Sequence, residues 1–249
     1  MMSPRGGGKF RIIIALGIAL FSVISYYHMS QPNPITGRAQ HISTTPSQEV
    51  ALGLQAAPEM AAEFGGEDPD AKSQQLVDEI GADVVAHSVA AKTDWNWDFH
   101  ALADPNTVNA FALPGGQVFI THGLLKNLET RGELAGVLGH EIGHVLARHS
   151  AEQMSKARLM QGLGAAGTIA TTDPNDRRTY QNGMIAQMVT QLISLRFSRQ
   201  DELEADQLGV RLMSEAGYDP RSMVKVMDIL KKAGGSSGGE LRLLMGDFN

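Results

Sequence analysis

His140, Glu141 and His144 stand in the order H-E-x-x-H, within Gly139-His140-Glu141-Ile142-Gly143-His144. In what reads as an amphipathic helix, the two histidines fall four residues apart on one face. Two imidazoles so placed can hold one Zn²⁺ at about 2.0–2.1 Å each. Glu141, one residue round, would aim its carboxylate at a water on the ion rather than at the ion, the place of a general base in hydrolysis. Gly139 and Gly143 are one turn apart, which would let that side of the helix approach another backbone closely. The plain alternative is two histidines on a solvated helix face, so the rest of the chain must decide.

A catalytic zinc usually takes three protein ligands and keeps a fourth position for water. The sequence has no cysteine, which leaves histidine and carboxylate as donors and excludes disulfides and a lipid-modified N-terminal cysteine. A third histidine on the same helix would need glycine and then histidine where Ala147 and Ser150 stand, and His149 is one residue out of register. An acid some twenty residues on is also absent, since residues 153–172 contain no carboxylate; Asp173 and Asp176 follow in a polar loop. The best offer comes 58 residues after His144, where Glu202 and Asp206 share a face of the next capped helix. One could bind metal while the other holds the free N–H of a ligating imidazole. Glu204 is not excluded by spacing, and a solvated acidic helix face is the default reading of such a pattern.

The elements that would position these residues can be read in order. Arg5, Lys9 and Arg11 precede an uncharged apolar run, Ile12 to Tyr27. Residues 1–11 are expected on the cytoplasmic side and 12–28 as a single membrane anchor, with a removed signal peptide as the alternative. Residues 29–46, with Pro32, Pro34, Gly37 and Pro46, read as an extended linker. Thr45-Pro46-Ser47-Gln48 opens a helix to about Phe64, and Asp68-Pro69 caps a second to about Ser88. Trp95 to Ala101 alternates in polarity as a half-buried strand. Asn109–Leu113 and Gln117–Thr121 flank Pro114-Gly115-Gly116 as a hairpin. Those glycines read first as a plain turn; the functional alternative is a glycine-lined edge that accepts a peptide as an added strand. Thr130-Arg131-Gly132-Glu133 is a capping box that starts the motif helix. A small-residue helix around Leu159–Ala170, a loop at 171–178 and an apolar helix at Met184–Phe197 follow. Ser198 caps the helix that bears Glu202, and Asp219-Pro220 opens a last helix to about Lys232.

Three ordered segments carry a resemblance. Asn-Ala-Phe-Ala-Leu-Pro-Gly-Gly at 109–116, His-Glu-Ile-Gly-His-Val-Leu-Ala-Arg-His-Ser at 140–150 and Ser-Arg-Gln-Asp-Glu-Leu-Glu-Ala-Asp at 198–206 resemble the gluzincin metallopeptidases. That family includes HtpX-like proteases, CAAX prenyl proteases and periplasmic barrel-assembly-enhancing proteases. Pro-Ile-Thr-Gly-Arg after the anchor resembles the periplasmic branch. The resemblance implies an α+β fold: a mainly helical zincin-type domain at 47–233 with a small edge sheet, an N-terminal membrane helix, and a flexible tail at 234–249. It implies one Zn²⁺ held by His140, His144 and Glu202, with Glu141 as catalytic base and Asp206 behind a ligand. Asn109, Ala110, Phe111, Ala112, Gly115 and Gly116 would form the substrate-binding edge. His100, His122 and His149 are candidates to steady the oxyanion, each with a structural role as the default. Such relatives continue past the last helix into a Thr-His-Pro segment. Here no histidine follows His149, so that later histidine has no counterpart and the end reads as that of a fragment or a variant. The helical-repeat domain of some relatives is absent from the sequence.

The expected function is a zinc endopeptidase of unfolded or misassembled envelope proteins, anchored in a bacterial inner membrane with its domain on the periplasmic side. The alternatives are a soluble periplasmic form after signal cleavage, a non-cleaving holdase using the same groove, or a structural zinc. Beyond the three N-terminal basic residues the chain carries 18 basic against 27 acidic residues, a net −9 that argues against nucleic acid as a partner.

Overall fold

The computed structural model describes residues 7–171 and 197–236. Of the expected loop at 171–178, Thr171 instead ends a helix, and the rest lies outside them with nearly all of the apolar helix at 184–197. The chain divides into two compact units, one formed by residues up to 43 with 151–188, the other by 44–150 with 189 onward.

In the first unit, α1 (Gly7–His28) contains one apolar stretch, Phe10–His28, of mean hydropathy 1.9. At 1.5 Å per residue its 19 residues span about 28 Å, enough to cross a hydrocarbon layer. Residues 29–46 differ from the expected extended linker. β1 (Ser30–Pro32) and β2 (Ala39–His41) pair antiparallel. Asn33 makes the turn, its side-chain oxygen accepting from the N–H groups of Ile35 and Thr36 while its amide donates to buried Gln40. Prolines there end strands and fix a turn rather than stretch the chain. The same unit holds residues 151–171 of a long helix. There the Ser155 hydroxyl accepts from Ser43 N–H, and Arg38 pairs with Glu152 at 2.7 Å.

In the second unit, α2 (Pro46–Glu63) starts at Thr45 with both arms of its capping box formed, and continues through Pro58. α3 (Ala71–Ala86) is capped by Asp70 rather than Asp68. Asp68 is used elsewhere: it accepts from Asp70 N–H and meets His122 Nδ1 at 2.7 Å. The sheet has the order β3–β5–β4, from β3 (Asp98–Leu102), β4 (Ala110–Ala112) and β5 (Gln117–Thr121). The expected hairpin is present, and β3 runs parallel to β5. The strand expected from Trp95 begins only at Asp98, because Asn96 N–H and Asp98 N–H donate to the carbonyls of Gly115 and Gly116, in a turn rather than a strand.

The two sheet edges differ. Along β3, Gln74 of α3 clamps Phe99 O and Ala101 N–H, and Asp68 N–H donates to Ala101 O. Along β4, Thr121 N–H bonds Asn109 O and Leu113 N–H bonds Gln117 O. Residues 109, 111 and 113 therefore face β5, and Ala110 and Ala112 turn their N–H and C=O groups outward. Among the described residues no hydrogen bond closes that outer edge.

After the short α4 (His122–Leu125), α5 (Arg131–Leu146) carries the motif. Thr130 caps it as expected, but Glu133 reaches the N–H of Glu129 instead of the cap residue's own. The expectation of an amphipathic helix fails: every residue from Glu133 to Leu146 is buried, so α5 is the core of this unit. It is bounded by α3, the sheet, α7 (Arg199–Glu215) and α8 (Ser222–Ser236). The approach of α5 to α7 depends on glycine. A Cβ at Gly209 would meet His140 N at 2.9 Å and its Cα at 3.0 Å, both backbone atoms that cannot step aside. Gly209→Val is therefore expected to cost about 1–3 kcal/mol and lower the melting temperature by several degrees, read by circular dichroism.

Candidate metal centre

The glycine contact brings the first two turns of α7 alongside the histidine pair of α5. The Nε2 atoms of His140 and His144 are 3.0 Å apart. Glu202 Oε2 lies 3.5 Å from the first and Oε1 3.8 Å from the second. The ligand atoms of all three buried residues fall within 4.8 Å of one another. Both oxygens of Glu202 are buried without a hydrogen-bond partner. Leaving a buried polar group unmatched costs about 1–3 kcal/mol, and more for a charge. Two imidazole nitrogens and a carboxylate converging in this way fit a divalent metal ion, which would satisfy all of them at once.

The charges around the cluster are strongly displaced. Burial opposes a charge on His140, yet Asp206, Glu202 and Glu141 raise it to about 10. Burial pushes His144 down, helped by the charge on His140. Burial also opposes ionisation of Glu202, but the two facing imidazoles hold its carboxyl down at about 2. Burial pushes the Glu141 carboxyl up, further than the facing imidazoles of His140 and His144 bring it down. Asp206 Oδ1 is 2.8 Å from His140 Nδ1, so that nitrogen donates outward and Nε2 is left to face the cluster.

Sequence reading did not foresee what lies behind His144. Along an unbroken helix His149 would sit about 140° round from His144. Instead Arg148 takes φ 56, α5 ends, and α6 (His149–Thr171) begins in a new direction. A left-handed non-glycine residue costs about 1–2 kcal/mol. Here the Arg148 guanidinium offsets it by binding Glu49 and Thr44 O, with Trp95 beneath. The turn places His149 Nδ1 2.9 Å from His144 Nδ1, and His149 Nε2 3.0 Å from Glu204. Glu204, left open by spacing, thus lies on His149 rather than at the cluster. His100 stacks on Phe119 and His122 pairs with Asp68.

Of the residues expected to bind substrate, Asn109 to Ala112 lie on or beside the open strand β4. Gly115 and Gly116 do not. They form its buried turn, with φ 86 and 111, and a Cβ on Gly115 would meet the Val50 backbone at 2.4 Å. An unforeseen apolar pocket joins the edge to the cluster. Ala110, Val137, Met223, Val226, Met227 and Leu230 line it beside His140 and Glu141. No motif marks these side chains, since each alone reads as core.

A core helix bearing H-E-x-x-H, a carboxylate delivered from a second helix and an adjacent buried acid are the parts of a metallopeptidase domain. Residues 71–244 match Peptidase family M48, and the chain belongs to that family, in agreement with the resemblance carried by its motifs. It is 30% identical over 234 residues to mitochondrial metalloendopeptidase OMA1 of Schizosaccharomyces pombe, covering 92% of this chain and 66% of that protein. It is 34% identical over 159 residues to mitochondrial metalloendopeptidase OMA1 of Arabidopsis thaliana, covering 64% and 31%. It is 30% identical over 161 residues to the β-barrel assembly-enhancing protease of Escherichia coli K12, covering 63% and 32%. The chain thus spans about two thirds of the first relative's length and a third of the other two.

Proposed function

We propose that the protein is a zinc endopeptidase, and the observation that carries this is the unmatched buried carboxylate of Glu202 facing two Nε2 atoms. His140, His144 and Glu202 would hold the ion, with Asp206 fixing the tautomer of His140. When bound, zinc supplies Lewis-acid polarisation of the scissile carbonyl and lowers the pKa of water to about 7. Glu141 takes the proton from the attacking water and returns it to the leaving amine. The substrate lies extended along β4, bonded to the outward N–H and C=O groups of Ala110 and Ala112.

The substrates we propose are unfolded or misassembled envelope proteins, and the protein would be held by the helix at 12–28 in a bacterial inner membrane with its catalytic residues on the periplasmic side. Two things support this: the basic flank before that helix and the name of the Escherichia coli relative.

The test is to purify the full chain in detergent, measure bound zinc, and follow cleavage of an unfolded protein before and after chelation. Stoichiometric zinc, with cleavage lost to the chelator and restored by zinc, is expected. Zinc without cleavage would favour a holdase, and no zinc would remove the reading. Ala112→Pro addresses the substrate path. It deletes one outward donor and leaves the β5 ladder intact, so KM should rise several-fold with zinc content unchanged.

A further inference from the structure

We infer that His149 and Glu204 form a positioning relay that orients His144 toward the ion; the inference rests on the zinc reading above. If both Nε2 atoms of the pair face a metal, His144 must carry its hydrogen on Nδ1. That hydrogen points at His149 Nδ1, 2.9 Å away. His149 therefore accepts on Nδ1, carries its own hydrogen on Nε2, and donates it to Glu204 Oε2 at 3.0 Å. Asp201 Oδ1 stands 3.8 Å from the same nitrogen. The two ligating imidazoles are thus held differently. The Nδ1 of His140 leans directly on a carboxylate from α7, whereas the Nδ1 of His144 reaches one through a second imidazole.

Three observations separate this from ordinary packing. The His149 side chain is fully buried, at 0% exposure, where an imidazole without specific bonds would be costly. The backbone break that aims it is a non-glycine residue at positive φ, clamped by Arg148 to Glu49. Phe197 packs against both rings, with centroids 4.4 Å from His144 and 5.9 Å from His149. Glu202 and Glu204, two residues apart on α7, consequently serve opposite ends of His144. One shares the metal with its Nε2, and the other acts through its Nδ1.

The experiment measures zinc affinity by competition with a chromophoric chelator on the full chain in detergent, together with the visible spectrum of the cobalt-substituted protein. His149→Leu removes both bonds, and Glu204→Gln weakens only the outer one. Zinc affinity should fall about 10–100-fold in the first and less in the second, with the cobalt bands shifted in both. His149→Gln, whose amide can accept from His144 and donate to Glu204, should restore most of the affinity. Combining His149→Leu with Glu204→Gln should add no further loss, because the two act as one unit. Unchanged zinc affinity and cobalt bands in Glu204→Gln would overturn the relay even if His149→Leu fails to fold. A parent chain that binds no zinc would instead sink the metal site itself, and the relay with it.

Discussion

Glu141→Gln is expected to lower kcat for peptide cleavage by about a hundred- to ten-thousand-fold while leaving bound zinc at the parent level. The isosteric amide keeps the shape of the site but cannot take a proton from water. Metal should remain, because the proposed ligands are His140, His144 and Glu202, and Glu141 lies one residue round the helix from the pair. Stability should not suffer. Burial pushes the Glu141 carboxyl above its ordinary value, so burying this group opposes folding at neutral pH, and a neutral amide removes that opposition. The metal-free variant should therefore melt at or above the parent. Loss of zinc in Glu141→Gln would place this carboxylate on the ion and overturn its role as base.

Glu202→Ala should abolish stoichiometric zinc and all cleavage, whereas Glu204→Gln should weaken zinc without abolishing it. The pH dependence of metal uptake belongs to the same experiment. Without an ion, His140 is raised to about 10 and so carries a proton at pH 7, bonded to Asp206 at 2.8 Å and facing Glu202 at 3.5 Å. An ion bound at its Nε2 must displace that proton. Calorimetry in buffers of different ionisation enthalpy should show about one proton released per zinc at pH 7, and affinity should climb as pH rises toward 10. The sign for the metal-free fold is opposite. A histidine raised above its ordinary value of 6.5 contributes stability that is full below pH 6.5 and fades as pH approaches 10. Zinc uptake independent of pH between 6 and 9 would contradict the arrangement.

The features legible in the chain were those written in short-range chemistry. The H-E-x-x-H spacing, the caps at Thr45, Thr130 and Ser198, and the Pro114-Gly115-Gly116 turn each depend on residues within four positions of one another. What escaped was set by distant partners. α5 read as amphipathic because glycine and histidine score as polar, although here glycine makes close helix contact and histidine faces a buried cluster. The parallel pairing of β3 with β5 has no local signature. Asp68 and Asp70 are equally good caps in isolation, and only the contact of Asp68 with His122 assigns the role to Asp70. The left-handed Arg148 could not be foreseen, because its guanidinium is compensated by Glu49, 99 residues earlier. Without that turn, His149 could be read only as a histidine out of register.

The union of α5 and α7 at Gly139, Gly143 and Gly209 has a consequence for when the site comes into being. Two of its ligating side chains are fixed as soon as α5 forms, but the third waits on a helix that begins more than fifty residues later. Closing so long a loop is among the slower steps of folding, so an ion finds its full set of donors only once α7 has docked. Binding energy then accrues to the docked form alone. At a free concentration one hundred times the dissociation constant, this amounts to about 2.7 kcal/mol. In the zinc reading proposed above, the ion would thereby become a late check on assembly, rewarding chains whose last helices are in place and leaving the others both inactive and easier to unfold.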